Sequence, residues 1–118
     1  MNFNNNIPIY IQLVEYFKRE IISGKLKPGD RLVSVRDLAL YMKVNPNTMQ
    51  KALTELEEQK LIYTERTNGK YVTDDVKLIN NIKYEYANNL TNNYLFDMKS
   101  IGIDIEEVIK YLNERNDK

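Results

Sequence analysis

Residues 34 to 62, SVRDLALYMKVNPNTMQKALTELEEQKLI, carry two runs of apolar positions at helical spacing, separated by Lys43, Val44 and Asn45. The pattern predicts two short helices joined by a tight turn. Ser34 is placed to cap the first, with Asp37 three residues on to close a capping box and Val33 and Leu38 set as a hydrophobic staple. That helix should end near Met42. Asn45 is a strong cap for the second, and Pro46 occupies the first helical position, where its missing N–H costs nothing. Each helical residue advances about 100° around the axis. Measured from Asn47, the residues Met49, Ala52, Leu53 and Leu56 then fall at roughly 140–240°, and Gln50, Lys51, Thr54 and Glu58 within about 60° of zero. One stripe is apolar, and the other carries amide, hydroxyl and ammonium groups that can pair with base edges and phosphates. A helix, a short turn and a helix with a polar, partly basic outer face make a helix-turn-helix. The alternative is an ordinary amphipathic helix whose polar face is merely solvated.

The rest of the chain is patterned around this pair. From Pro8 to Ser23, Tyr10, Leu13, Val14, Phe17, Ile21 and Ile22 recur at helical spacing, which predicts a core helix ended by Gly24, with Lys18 and Arg19 solvated. The first six residues are polar and expected to fray. KLKPGDRL reads as a connector turning at Pro28-Gly29, with Leu26 and Leu32 as anchors. After the central helices, Leu61 to Glu65 and Tyr71 to Thr73 favour β structure, and Asn68-Gly69 between them signals a hairpin because both residues tolerate positive φ. Arg66, Asn68 and Lys70 are expected near its tip. A plain hairpin with solvated charges is the other reading. Next, Asp74 or Asp75 caps a long helix with Val76, Ile79, Ile82, Tyr86, Leu90 and Tyr94 along one stripe, up to about Met98. Ser100-Ile101-Gly102 breaks it. A last helix begins at Asp104, with Glu107 completing a capping box and Ile103 stapled to Val108, carries Ile105, Val108, Ile109 and Leu112, and ends in a charged tail. Two amphipathic helices with so little core between them predict a dimer seam of Ile79, Ile82, Tyr86, Leu90, Tyr94, Val108 and Leu112.

Composition removes most catalytic chemistry. The 118 residues contain no cysteine and no histidine, which excludes disulfides, thiol nucleophiles, imidazole bases and the usual zinc sites. The four glycines fall at element boundaries, with no phosphate-binding loop among them. No apolar run approaches the roughly 20 residues that cross a bilayer, and the N-terminus lacks a signal-peptide pattern, so a cytoplasmic protein is expected. Net charge is zero, yet residues 1–73 hold 11 Lys/Arg against 8 Asp/Glu, and residues 74–118 hold 6 against 9. A basic front and an acidic back suit a protein that faces DNA at one end. The 15 asparagines beside 12 lysines and 9 tyrosines fit the codon bias of an AT-rich genome, so asparagine abundance carries no functional weight.

PIYIQL, GKLKPGDRL, SVRDLA, VNPNTMQKAL, LEEQKLI and GKYV resemble, in this order, the N-terminal domain of GntR-type bacterial transcription regulators over residues 8–73. The short two-helix tail is similar to that of the YtrA subfamily. The resemblance implies a winged helix-turn-helix that binds an operator as a homodimer, often near genes for membrane transport. It puts DNA contacts on Arg36, Asn45, Asn47, Thr48, Gln50 and Lys51, with Gly69 at the wing tip near the minor groove. The chain departs from the family at Val33 (usually proline), Lys60 (usually glycine), and Thr67 and Lys70 (a glycine and a threonine in the wing). Lys60 should therefore be left-handed at a local cost of about 1 kcal/mol, and Lys70 should add a phosphate contact.

The expected architecture is mostly α with a small β-hairpin: a winged helix-turn-helix over residues 1–73 and a two-helix dimerisation tail over residues 74–118. The expected function is sequence-specific DNA binding by a homodimeric repressor on an inverted-repeat operator, possessing no enzymatic activity, cofactor, metal or membrane partner, and controlling a transporter operon. Gln50 and Asn47 would read bases, and Arg36, Thr48, Lys51 and Lys70 would hold phosphates. About four neutralised phosphates per protomer give a slope of log K against log salt near −7. Two rivals remain at this level: a winged helix that binds another protein, and a sensor whose ligand sits against Tyr84, Tyr86 and Tyr94. Effector identity stays open.

Overall fold

The computed structural model describes residues 1–115; residues 116–118, the end of the expected charged tail, lie outside the described residues. In chain order it has α1 (Ile9–Ile22), α2 (Val35–Met42), α3 (Pro46–Glu58), β1 (Ile62–Glu65), β2 (Gly69–Val72), α4 (Val76–Ser100) and α5 (Ile105–Arg115). This is the mostly helical winged helix-turn-helix with a two-helix tail that the pattern predicted. By internal contacts the chain divides into residues 1–82 and residues from 83 onward, a division that falls inside α4.

In the first unit, α1 buries Leu13, Val14, Phe17 and Ile21, and α3 buries Met49, Ala52, Leu53 and Leu56. Around this pair α2 adds Ala39 and Met42, the connector adds Leu32, the ribbon adds Leu61, Ile62 and Val72, and the start of α4 adds Ile79. Full burial of a large apolar side chain stabilises by roughly 1.5–3 kcal/mol, so this one cluster supplies the drive for the unit. The N-terminal arm differs from expectation. Asn4 N–H donates to Gln12 Oε1 (2.8 Å), and Gln12 Nε2 donates to the carbonyls of Asn4 (2.7 Å) and Ile7 (2.8 Å). With Phe3 packed against the core, the arm is held rather than frayed.

Three helices end alike. Val44 N–H donates to the Ala39 carbonyl after α2, Leu61 N–H to the Leu56 carbonyl after α3, and Ile103 N–H to the Met98 carbonyl after α4, each at 3.0 Å. This closure needs a left-handed residue just before the donor. Gly102 supplies it after α4, but Lys43 (φ 57°) and Lys60 (φ 64°) supply it after α2 and α3. Lys60 was expected from the sequence, whereas nothing in the sequence marks Lys43.

The ribbon pairs Ile62 with Val72, Tyr63 with Tyr71, Thr64 with Lys70 and Glu65 with Gly69. Its turn is not the Asn68-Gly69 pair expected. Asn68 N–H closes back on the Glu65 carbonyl at 3.3 Å, so Arg66, Thr67 and Asn68 form the loop and only Gly69 has positive φ (+99°). That is the three-residue hairpin, a tight turn followed by one left-handed residue. The other side of β2 is also paired. Leu32 N–H donates to the Lys70 carbonyl and Val72 N–H to the Asp30 carbonyl, both at 2.8 Å, so the connector runs beside the ribbon and braces it. At the base, Thr73 Oγ1 accepts from Asp75 N–H (3.0 Å), and Asp75 Oδ1 accepts from Leu78 N–H (3.0 Å) to cap α4.

A left-handed conformation costs a side-chain-bearing residue roughly 1–2 kcal/mol, and glycine's larger unfolded-state entropy returns about 0.4–1 kcal/mol of that. Lys60→Gly should therefore raise stability by about 0.5–1 kcal/mol in urea unfolding. A loss of stability would show that the Lys60 side chain supports this helix end.

Candidate nucleic-acid interface

The N-terminal half of α3 is built to project. Asn45 Oδ1 accepts from Asn47 N–H at 2.7 Å, and Pro46 opens the helix. Because Met49, Ala52, Leu53 and Leu56 are all fully buried, the opposite stripe turns outward: Asn47, Gln50, Lys51 and Thr54 are exposed, and Thr48 is half-buried. Gln50 Nε2 donates to Thr54 Oγ1 at 3.1 Å, which orients the amide and leaves its carbonyl oxygen able to accept. The Lys51 ammonium lies 4.0 Å from the centroid of the Tyr10 ring, so α1 holds the cation beside Asn47 and Thr48. An exposed cation–π contact of this kind contributes about 0.5–1 kcal/mol. Asn47, Gln50 and Lys51 thus share the exposed stripe at the N-terminal end of α3, as the helical spacing predicted, with Asn45 as its cap and Thr48 half-buried beside them. Arg36 is exposed in the first turn of α2.

The ribbon departs from expectation at Lys70. Its ammonium is 3.0 Å from Glu57 Oε1 on α3 and 2.9 Å from Thr64 Oγ1, with only 17% of the side chain exposed. Lys70 therefore faces α3 and is committed inside the protein, because its strand register puts it opposite Thr64 on the side that α3 covers. Burial raises the Glu57 carboxyl pKa, but the hydrogen bonds from Lys70 and Thr64 and the charge of Lys70 outweigh it and hold the group below the usual carboxylate range. The exposed tip is left to Arg66, Thr67, Asn68 and Gly69. The Arg31 guanidinium lies against Gly69, 3.7 Å from where a Cβ would stand. From the sequence, Tyr10, Arg31 and Glu57 take no site role. The Lys70 to Glu57 contact spans 13 residues, and its only sequence trace is the opposite charge of the two residues.

The expected dimer seam is redistributed. Ile79 belongs to the core of the first unit, and Ile82 is half-buried against that core. Val108 is already 2% exposed within the monomer. Tyr86 is half-buried, while Leu90, Tyr94 and Leu112 remain exposed, joined by Ile101, Ile105 and Ile109. Of the tyrosines considered for a ligand, Tyr84 and Tyr94 face solvent. Among the described residues no cluster of acidic, histidine or cysteine side chains could hold a metal, and no helix is long and apolar enough to cross a membrane.

Residues 9–72 match the family model described as bacterial regulatory proteins, gntR family. The HTH-type transcriptional repressor YtrA of Bacillus subtilis is 33% identical over 112 residues, covering 93% of this chain and 85% of that protein. A GntR family transcriptional regulator from Listeria monocytogenes superposes with a TM-score of 0.86 at 42% identity, covering 95% of this chain and 98% of that one. The DNA-binding domain of AraR, solved in complex with an operator, has a TM-score of 0.55 at 26% identity over 62% of this chain and 88% of its own.

Asn45 has a structural duty that can be separated from any contact with DNA. Asn45→Ala removes the cap and should cost about 1 kcal/mol in urea unfolding, whereas Asn45→Asp keeps the acceptor and should stay near wild-type stability. Equal losses from both would show that the cap contributes little.

Proposed function

The chain belongs to the gntR family of bacterial regulatory proteins, and from that premise we propose that it is a cytoplasmic repressor that binds an inverted-repeat operator as a homodimer. It is a DNA-binding transcription regulator and not an enzyme. In the proposed complex residues 1–73 bind DNA and residues 74–118 form the dimerisation tail. The α3 helices of two protomers enter successive major grooves about 34–36 Å apart. Asn47 and Gln50 read bases there, adenine being the natural partner of an amide. Arg36, Thr48 and Lys51 hold phosphates with the help of Asn45, and Gly69 approaches the minor groove. Bound across a promoter, the dimer excludes polymerase. Control of membrane-transport genes belongs to the same proposal and rests on family resemblance alone.

The observation that carries this reading is the outward polar stripe at the start of α3, made obligatory by the complete burial of its opposite face. The AraR complex supports it by showing a domain of this fold on operator DNA. Dimerisation draws on the exposed apolar residues of the tail, among them Leu90, Tyr94, Phe96, Ile101, Ile105, Ile109 and Leu112, which face solvent in one chain.

With Lys70 committed to Glu57, Arg36 and Lys51 remain to neutralise about two phosphates per protomer, so the slope of log K against log salt should be near −4 for the dimer. Gln50→Ala should cost about 1–3 kcal/mol on the cognate operator and little on random DNA, and Lys51→Ala should weaken both alike. Gel shifts on matched operators decide this, and equal losses from Gln50→Ala on both would remove its base-reading role. Ile109→Glu should dissociate the dimer in sedimentation and weaken operator binding with it. A variant that stays dimeric would move the interface elsewhere.

A further inference from the structure

The open depression between α3 and the ribbon, about 490 Å³, is lined by Gln50, Thr54, Glu57, Glu58, Thr64 and Lys70. If α3 sits in a major groove and the ribbon tip in the adjoining minor groove, the sugar-phosphate strand between the two passes this opening. Two carboxylates would stand beside that strand. Lys70 contacts one of them directly, within a closed triangle: Lys70 Nζ to Glu57 Oε1 is 3.0 Å, Lys70 Nζ to Thr64 Oγ1 is 2.9 Å, and Thr64 Oγ1 to Glu57 Oε1 is 2.9 Å.

We propose that Lys70 is a positioning residue that neutralises Glu57 and ties the ribbon to the recognition helix, and that it contributes no phosphate contact of its own. The inference deepens the DNA-binding reading and rests on it. Turning the ammonium out to a phosphate would break two hydrogen bonds and leave Glu57 as an uncompensated negative charge beside the DNA strand, so one gain would be set against two losses. The low exposure of the Lys70 side chain, 17% against 37% for Glu57, places the cation on the inner side of the pair. Cross-strand pairing of Thr64 with Lys70 means that both anchors lie at one level of the ribbon, which resists rotation of the tip about α3.

The test compares wild type, Lys70→Met, and the double variant Glu57→Gln with Lys70→Met, on a duplex selected from random DNA by the wild-type protein. Lys70→Met should weaken binding about fivefold on every sequence, the scale of one exposed charge pair. The double variant should recover the part of that loss that comes from repulsion, with an unchanged salt slope, and the lost tie between the ribbon and α3 accounts for what is not recovered. A double variant that stays weak, with a slope shallower by about 0.9 per protomer, would make Lys70 a phosphate ligand and overturn the proposal. If selection with wild type returns no sequence, the DNA-binding reading fails by itself. The pair is then judged in the free protein by carboxyl NMR, where Glu57 should titrate below the usual range in wild type and move up in Lys70→Met. No movement there would overturn it.

Discussion

The packing of α1 against the apolar stripe of α3 is the constraint on which the rest depends. A helix that buries Met49, Ala52, Leu53 and Leu56 completely has no freedom to rotate, so Asn47, Gln50, Lys51 and Thr54 point outward as a consequence of the core. The same contact brings Tyr10 of α1 under the Lys51 ammonium. Stability and recognition are thus two faces of one helix orientation. A substitution in Leu13 or Phe17 would reach the outer stripe by tilting α3, without touching a polar residue.

Part of the charge in this domain is spent at short range, in the pairs Arg19 with Glu15, Lys25 with Glu20 and Lys70 with Glu57. The first 73 residues carry three more positive than negative side chains, which suggests several cations free to meet a polyanion. Lys70 is closed off by Glu57 and Arg31 lies along the ribbon at Gly69, while Arg36, Lys43 and Lys51 are exposed on α2, α3 and the turn between them.

Much of this was legible in the chain because the signals are local. Ser34, Asn45 with Pro46, Asp75 and Asp104 each cap the helix expected of them, and the α3 stripe followed from a count of residues. What escaped is non-local or backbone-determined. Asn68-Gly69 reads as a two-residue turn, yet the register of Glu65 with Gly69 makes a three-residue loop, and no local pattern distinguishes the two. Lys43 is left-handed because the turn between α2 and α3 closes on the Ala39 carbonyl, a demand of the helix end that overrides a poor residue type. Ile79 has the same spacing as residues of a free seam, and only packing reveals that the domain core had already claimed it.

The connector beside β2 has one more effect. A two-stranded ribbon offers a row of unpaired amides on each flank, and another polypeptide can add itself there as an extra strand. Asp30 and Leu32 occupy the flank of β2, which leaves the two-stranded ribbon only the outer side of Ile62–Glu65, four residues long and ending in a carboxylate. A solenoid of stacked wings, or fibrils seeded from this ribbon at high concentration, would have almost no template from which to start.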